Sequence, residues 1–369
     1  MARAYQAALV FVFCTLLCLP GVTMLVRPQS PKLYGVAEVP FPPFRPTTQW
    51  LSDFEDYFNA NLGYKRKLIQ LHNLLGYRVL RDLQSDSVLV GRKNWLFLKQ
   101  NHGWESFRSE QPLTGAEARA WQRSFQYAER WLAEQQIPFL FVVVPSKESV
   151  YPDFLPPSAT RARDVTRLDE MLGLLQSSGI QHLELRTALR EARKHAQVYD
   201  SIDSHWNGEG ARVGAKLILQ RVAELLHRPP SFAELNERIV PQPSWADLPL
   251  ILSLDGVVTA PSNAVVPKQP RARRLEPPES VTDSQAAQTK RMVFEVADES
   301  LPTALILRDS FAEGLQPVLT EKFRRSVWIW THKMDLTLVT REKPDIVIVE
   351  TTERFLSDKP PRLMLPRRR

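Results

Sequence analysis

Residues 139–148 are Phe-Leu-Phe-Val-Val-Val-Pro-Ser-Lys-Glu. Six consecutive apolar residues that end at a proline are typical of a short strand buried on both faces of a sheet. Similar apolar runs occupy residues 304–307 and, directly after Asp345, residues 346–349. Helix-period segments lie between these runs, and the alternation of strand and helix predicts a mainly parallel sheet covered on both faces. The expected fold class is therefore α/β, with three layers.

Local signals predict the remaining elements. Thr114 and Glu117 have the spacing of a capping box, which starts a helix with one apolar face. The segment Val88–Leu98 has the pattern of a hairpin with a polar turn. Further helices are expected over 165–177, 187–195 and 209–226, and further strands over 181–184 and 327–330.

Composition changes along the chain suggest its division. We expect a membrane segment at 1–27, a proline-rich spacer at 28–50 and a main domain at 51–369. Residues 228–300 are rich in proline and polar residues and have weak periodicity. This composition predicts a long insertion with a small buried patch at 245–254 and a mobile tip over 262–290.

The N-terminal segment determines the expected location. Arg3 precedes Ala7–Val26, an almost uncharged run of about the length that crosses a bilayer. A cleaved secretory peptide is the alternative, but no small-x-small cleavage site follows, and Phe13 and Leu17 are too large to precede a lipoprotein cysteine. Because Arg3 stays on the inner side, the rest of the chain leaves the cytoplasm in either case. We expect an anchor in a bacterial inner membrane, with the main domain in the periplasm.

The chain carries a formal charge of +7 over 369 residues. Much of the excess lies near Arg271–Arg274 and Lys359–Arg369, and such clusters favour an anionic partner or a membrane surface. Both cysteines lie in the N-terminal segment, so the main domain has no disulfide. The sequence has no nucleic-acid-binding module, zinc-ligand spacing or phosphate-binding glycine loop. We expect no nucleic-acid partner and assign no metal and no cofactor.

Three residues form the candidate catalytic site. Ser310 directly follows the apolar run 304–307, and ligands of open parallel sheets bind beyond the carboxyl ends of the strands. Asp203 and His205 are two residues apart, so their side chains leave an extended loop on the same side. The pattern suggests a nucleophilic serine, a histidine base and an orienting acid. The alternatives are that Asp309 and Ser310 cap the next helix, and that Asp203 and His205 are ordinary turn residues.

Other residues are weaker candidates. Lys147 and Tyr151 follow the run 139–144 and are candidates for substrate binding, although a surface lysine and a packing tyrosine are the simpler interpretation. Trp206 could stack on a sugar ring or pack in the core. Glu350 and Arg354 follow the last strand and are expected to form a local salt bridge, with a role in the site as the alternative.

Four segments together resemble the alginate O-acetyltransferase family of SGNH-hydrolase-like proteins. They are VPSKESVYP at 144–152, DSHWN at 203–207, RDSF at 308–311 and KPDIVIVE at 343–350. The resemblance spans roughly residues 50–357 and implies an SGNH-hydrolase-like, flavodoxin-like fold. It implies that Asp203 is the orienting acid, His205 the base and Ser310 the nucleophile. The acid and base then precede the serine, an order permuted from that of ordinary SGNH hydrolases. Arg308 stands where a glycine often precedes the Asp-Ser pair.

The resemblance also implies a function. We expect a periplasmic O-acetyltransferase that forms an acetyl-serine and acetylates hydroxyls of an exopolysaccharide, alginate-like or other. The expected partners are this acceptor, a membrane-bound O-acyltransferase that supplies the acetyl group, and other components of polysaccharide secretion. A carbohydrate acetylesterase with the same triad is one alternative, and a non-catalytic polysaccharide-binding assembly subunit is another.

Overall fold

The computed structural model describes residues 2–26, 39–83, 85–243, 246–275 and 291–357. The chain forms two compact units. The smaller unit comprises residues 1–84 and 247–259, and the larger comprises 85–246 and 260–369. The larger unit contains the predicted strands.

The strands in the described residues of the larger unit are β1 (Val88–Val90), β2 (Leu96–Leu98), β3 (Phe139–Val144), β4 (His182–Glu184), β5 (Glu237–Gln242), β6 (Ser262–Pro267), β7 (Arg273–Leu275), β8 (Arg291–Glu295), β9 (Thr303–Arg308), β10 (Arg325–Trp330) and β11 (Ile346–Thr352). The described α-helices of the whole chain are α1 (Ala2–Val26), α2 (Thr48–Asn61), α3 (Lys65–Leu75), α4 (Gly103–Arg108), α5 (Gly115–Glu134), α6 (Lys147–Val150), α7 (Arg167–Ser177), α8 (Arg186–Ala192), α9 (Gly208–Leu225), α10 (Asp247–Ile251), α11 (Ala312–Leu319) and α12 (Leu336–Glu342). The predicted hairpin is present, since β1 and β2 pair antiparallel.

The central sheet has the strand order β4-β3-β11-β9-β10-β8-β7. The first five strands of this order are parallel, and β8 and β7 continue the sheet in antiparallel pairing. The register places Val347 beside Phe139 and Ile346 beside Ala304. The prediction of a mainly parallel sheet is confirmed. The carboxyl ends of β3, β11 and β9 consequently lie side by side at one edge.

Helices cover both faces of this sheet. Alternate residues of a strand point to opposite faces, so each central strand contributes to two cores. Val142 and Ile306 belong to one core, with residues of α8, α9 and α11. Phe141 and Leu307 belong to the other, with residues of α5, α7 and α12. All residues of β3, β9 and β11 are buried, which explains the continuous apolar runs 139–144, 304–307 and 346–349 within them.

Two helix starts follow from their capping residues. Thr114 accepts a hydrogen bond from the Glu117 N–H, and Glu117 accepts one from the Thr114 N–H, which confirms the capping box before α5. Asn207 precedes α9, and its side-chain oxygen accepts hydrogen bonds from the Glu209 and Gly210 N–H groups at 3.1 and 3.2 Å. Asn207 thus determines that α9 begins at Gly208, three residues after His205.

The region 228–300 contains more regular structure than its sequence pattern indicates. β5 and β6 form an antiparallel pair, and β7 and β8 extend the central sheet. The predicted mobile tip over 262–290 is therefore wrong for β6 and β7, while residues 276–290 lie outside the described residues. These strands alternate poorly because most of their residues are half-buried or exposed and several are charged or proline.

The smaller unit contains α1, α2, α3, α10 and a short π-helix at Gly76–Leu80. Within α1, Tyr5–Thr23 is long and apolar enough to cross a membrane. Arg66 donates two hydrogen bonds to the Asp255 carboxylate, at 2.7 and 2.9 Å. The expected patch at 245–254 includes Leu248, Leu252 and Leu254, which are buried, whereas Trp245 lies outside the described residues.

Gly208 allows a close approach between α9 and β6. A Cβ atom there would lie 2.4 Å from the Ala264 carbonyl carbon, so the backbone of one element would have to move. We expect Gly208→Ala to lower the free energy of unfolding by about 1–3 kcal/mol, because overpacking forces a backbone shift. Denaturant unfolding of the full chain, monitored by tryptophan fluorescence, measures the change.

Gly173 provides the matched control. It lies in the exposed face of α7, with no atom within 4 Å of a Cβ placed there. Gly173→Ala should raise the free energy of unfolding by about 0.5–1 kcal/mol, since alanine favours helix. Equal effects of the two substitutions would contradict the described contact between α9 and β6.

Candidate active site

The structure brings Asp203, His205 and Ser310 together. The Asp203 Oδ1 atom lies 2.7 Å from His205 Nδ1, and His205 Nε2 lies 2.7 Å from Ser310 Oγ. A carboxylate only accepts hydrogen bonds, so Nδ1 donates to Asp203 and Nε2 is left to accept from the serine hydroxyl. The Asp203 oxygen also accepts from the His205 backbone N–H at 2.8 Å. The three side chains have the connectivity of a nucleophile, a base and an orienting acid.

Ser310 lies in the turn after β9, and Asp309 holds that turn. One Asp309 oxygen accepts from the Phe311 N–H at 2.9 Å, and the other accepts from the N–H and hydroxyl of Thr352 at 2.7 and 2.8 Å. Asp309 is buried. The alternative that Asp309 and Ser310 cap the next helix does not describe this turn, because no side chain caps α11. Asp309 instead links the ends of β9 and β11.

Glu350 supports the same turn from β11. Its Oε2 accepts a hydrogen bond from the Asp309 N–H at 3.1 Å, and the residue is 1 % exposed. Burial, with the nearby Asp309 charge, raises the pKa of Glu350 well above its usual range. The expected salt bridge with Arg354 is not among the ion pairs of the described residues. The Arg354 guanidinium lies over the Phe311 and Phe355 rings instead.

Lys147 holds the loop that carries Asp203 and His205. Its ammonium group donates to the carbonyl oxygens of Asp203, Asp200 and Ser201, at 2.6, 3.1 and 3.3 Å. The side chain is 1 % exposed and passes between the Trp95 and Phe97 rings and the loop. A buried ammonium with three carbonyl partners fixes the backbone on which the acid and the base are placed.

Lys147 and Tyr151 do not line the cavity at the triad. Tyr151 is buried, and its hydroxyl accepts a hydrogen bond from the Val198 N–H at 3.0 Å. Both residues therefore contact the backbone of the loop from the side of the protein interior. This arrangement favours a positioning role for them over the substrate contact expected from the sequence.

Trp206 lines the cavity but is packed. It is 5 % exposed, and its indole N–H donates to the Phe311 carbonyl at 2.9 Å. Side chains at Gly210, Gly214 or Gly314 would collide with the ring or its Cβ. The sequence left open whether Trp206 stacks on a sugar ring or packs in the core, and these contacts are those of a packed side chain. The Trp206 hydrogen bond also joins the loop to the first residue after the serine.

A cavity of about 350 Å³ lies beside the triad, within the usual range for ligand pockets. It is lined by Asp200, Asp203, His205, Trp206, Asn207, Gly208, Gln242, Ser262, Asn263, Ala264, Val265, Ser310, Phe311, Glu313, Gly314 and Pro317. The contributions of Asp200, Glu313 and β6 were not predicted from the sequence. For Asp200, closeness to Asp203 was an available signal. For β6 no local signal exists, because the chain around it has weak periodicity.

Asp200 is a buried acid at this cavity. Its Oδ2 accepts a hydrogen bond from the Ser262 hydroxyl at 2.6 Å, which ties the loop to β6. Burial raises the pKa of Asp200 to about 6; the Ser262 hydrogen bond opposes the rise, and the Asp203 charge adds to it. Among the described residues of the larger unit, no three His, Cys, Asp or Glu side chains converge at metal-ligand spacing.

The sequence model of one protein family matches residues 88–333, more than half of the chain. That family is described as the SGNH hydrolase-like domain, acetyltransferase AlgX. The chain belongs to this family. The matched residues include Asp203, His205 and Ser310, and the expected SGNH-hydrolase-like fold is confirmed.

Curated relatives of this AlgX-family chain are similar in sequence. A probable alginate O-acetylase AlgJ of Pseudomonas fluorescens is 24% identical over 262 residues, which cover 70% of this chain and 61% of the relative. The corresponding protein of Pseudomonas aeruginosa is 23% identical over 171 residues, covering 46% and 42%. The chain thus matches less than two thirds of the length of these relatives.

Solved structures share the fold. The O-acetyltransferase domain of Pseudomonas putida AlgJ has a TM-score of 0.51 at 17% identity, covering 74% of this chain and 93% of that domain. Bacillus cereus PatB1 has a TM-score of 0.54 at 17% identity, covering 73% of this chain and 97% of PatB1.

Replacing Lys147 should loosen the loop of this AlgX-family chain. Lys147→Met removes the ammonium group that donates to three carbonyl oxygens of the loop. Because these oxygens then lack that donor, we expect the free energy of unfolding to fall by about 2–3 kcal/mol. Amide hydrogens over 199–206 should exchange faster than in the wild type. Lys268→Met, at an exposed lysine, is the control. Indistinguishable unfolding and exchange in the two variants would refute the role assigned to Lys147.

Proposed function

We propose that this protein transfers acetyl groups to hydroxyls of an exopolysaccharide through an acetyl-Ser310 intermediate. The observation that carries the proposal is the continuous contact from Asp203 through His205 to the Ser310 hydroxyl, with 2.7 Å at each step. The description of the family names an acetyltransferase, and the curated relatives are named probable alginate O-acetylases. The acid and base precede the nucleophile, the permuted order that we propose for this fold.

The first step acetylates the serine. His205 Nε2 accepts the proton as Ser310 Oγ attacks the carbonyl carbon of an acetyl ester, and Asp203 stabilises the imidazolium that forms. The tetrahedral intermediate then collapses. The bond to the leaving oxygen breaks, and His205 gives its proton to that oxygen, so acetyl-Ser310 and a free alcohol result.

The oxyanion requires hydrogen-bond donors close to Ser310. Among the described residues, no group accepts a hydrogen bond from the Ser310 backbone N–H. Asp309 accepts from the Phe311 N–H in the same turn and from the Thr352 N–H at the end of β11, and so fixes the backbone around the serine. We assign the Ser310 N–H as an oxyanion donor, because a donor held in place before the reaction needs little reorganisation.

The second step transfers the acetyl group. A sugar hydroxyl enters the cavity and loses its proton to His205 as its oxygen attacks the acetyl carbon. Ser310 Oγ then leaves and takes the proton back from His205. Water in place of the sugar would give an esterase with the same residues, so the outcome depends on what occupies the cavity.

The N-terminal helix supports a periplasmic location. Its apolar stretch Tyr5–Thr23 is long enough to anchor the chain, and Arg3 before it favours the orientation with the larger unit outside the cytoplasm. Such an enzyme cannot draw directly on cytosolic acetyl-CoA. We therefore propose a membrane-bound O-acyltransferase as the immediate source of acetyl groups, together with other components of polysaccharide secretion.

Substitutions in the triad test the mechanism. With p-nitrophenyl acetate as donor and the full chain in detergent, Ser310→Ala should lower kcat/KM by at least about 10³-fold. Asp203→Asn should lower kcat by about 10³–10⁴-fold, because the histidine loses the group that fixes its tautomer. Release of p-nitrophenol gives the rates, and chromatography of a mixed panel of oligosaccharides detects acetylated products.

An exposed serine provides the control, since Ser158→Ala should retain the wild-type rate. Unchanged acetyl release in Ser310→Ala would contradict the assigned nucleophile. Release that depends on Ser310 without transfer to any oligosaccharide would favour the esterase. No release by the wild type with several acetyl esters, combined with polysaccharide binding, would favour a non-catalytic subunit.

A further inference from the structure

The walls of the cavity beside Ser310 differ in chemistry from the chain as a whole. The chain has a formal charge of +7, yet the described lining residues include three carboxylic acids and no lysine or arginine. The acids are Asp200, Asp203 and Glu313. Gln242, Asn207 and Asn263 add amide groups. A ligand in this cavity therefore meets negative charge and neutral hydrogen-bonding groups.

Two cationic side chains near the cavity, Arg308 and Lys147, already have partners within the protein. The Arg308 guanidinium donates to Glu313 Oε1 at 3.2 Å and to the Asp309 carbonyl at 3.1 Å, and it lies over the Trp330 ring at 4.8 Å. Arg308 is 2 % exposed, so it cannot swing freely toward a ligand. The Lys147 ammonium likewise faces three loop carbonyls. Neither cation lines the cavity.

Asp200 shows what a carboxylate experiences at the wall of this cavity. It lies at the cavity wall and is 7 % exposed. Burial first, and then the Asp203 charge, raise the pKa of its carboxyl, while the Ser262 hydrogen bond and the Lys147 and His205 charges oppose the rise. A second anion entering the cavity would meet the same two disadvantages, loss of water and a like charge close by.

Two of the basic residues singled out in the sequence, Arg271 and Arg273, lie elsewhere, and Lys359–Arg369 lie outside the described residues. Arg271 and Arg273 line a different cavity at the antiparallel end of the sheet, together with Arg324 and Arg325. Three of these four arginines form ion pairs with acidic side chains of the same region. The described members of this basic cluster therefore give no reason to expect an anionic sugar at Ser310.

We infer that the acceptor sugar at Ser310 is an uncharged hexose unit, recognised through its hydroxyl groups, and that the cavity disfavours the carboxylate of a uronate. Carboxylate and amide side chains accept from and donate to sugar hydroxyls, whereas a uronate carboxylate finds no cation among the described lining residues. This inference rests on the proposed acetyl transfer, and it names the acceptor class of that same site.

Two β-1,4-linked oligosaccharides of equal length provide a matched test. Mannohexaose and hexamannuronate differ only at C6, where one has a hydroxymethyl group and the other a carboxylate. Binding is measured by calorimetry with the full-length Ser310→Ala protein, and acetyl transfer with the wild type and p-nitrophenyl acetate. We expect mannohexaose to bind and to accept acetyl at least about tenfold better than hexamannuronate in low salt.

A charge variant tests the cause of the preference. Glu313→Gln should improve binding of hexamannuronate by about threefold or more in low salt and leave mannohexaose nearly unchanged, with the gain lost at about 0.5 M salt. Glu299→Gln, at an acid outside this cavity that is 90% exposed, should change neither affinity.

The outcomes separate this inference from the proposed function. Equal or tighter binding of hexamannuronate, or failure of mannohexaose to bind and to accept acetyl, would overturn the inference. Acetyl release that persists in Ser310→Ala would instead refute the proposed mechanism, while the calorimetric comparison on that variant would still report which sugar the cavity prefers.

Discussion

The buried Asp309 carboxylate is the constraint on which the site depends most. It accepts hydrogen bonds from two different segments, the Phe311 N–H in its own turn and the N–H and hydroxyl of Thr352 at the end of β11. Glu350 closes the connection by accepting from the Asp309 N–H. Because β9 and β11 are neighbouring parallel strands, these bonds fix the turn of Ser310 to the centre of the sheet. The serine is thereby held on a rigid element, as a site with defined geometry requires.

The other half of the site reaches Ser310 from a loop 105 residues earlier in the chain. Buried contacts hold this loop in place, namely the Lys147 ammonium beneath its carbonyls and the Trp206 indole against the Phe311 carbonyl. Lys147 follows β3, the other neighbour of β11, so the same sheet edge supports both halves. The distance between His205 and Ser310 is consequently set by strand order and by buried polar contacts together.

Prediction from the sequence succeeded where local pattern and buried structure coincide. Phe139–Val144 forms a strand over the whole predicted range, and the Thr114 capping box starts α5. Asp203, His205 and Ser310 were grouped through strand positions and family motifs, and the structure places them in contact, although their catalytic roles stay a prediction. The role of β6 could not be read locally, since it depends on pairing with β5 and on a close approach to Gly208. The burial of Lys147 was missed for a similar reason, because its partners lie more than fifty residues away.

The central claim is that Ser310 carries the acetyl group, and rapid quenching tests it most directly. The full-length wild-type protein is mixed with p-nitrophenyl acetate, quenched in acid during the first turnover and digested for mass spectrometry. We expect one acetyl group on Ser310 in the wild type, more of it when water is the only acceptor, and none at this position in His205→Ala at the same time point. Release of acetate with an unmodified Ser310 peptide, or with the acetyl group on another residue, would contradict the role of Ser310 as the nucleophile.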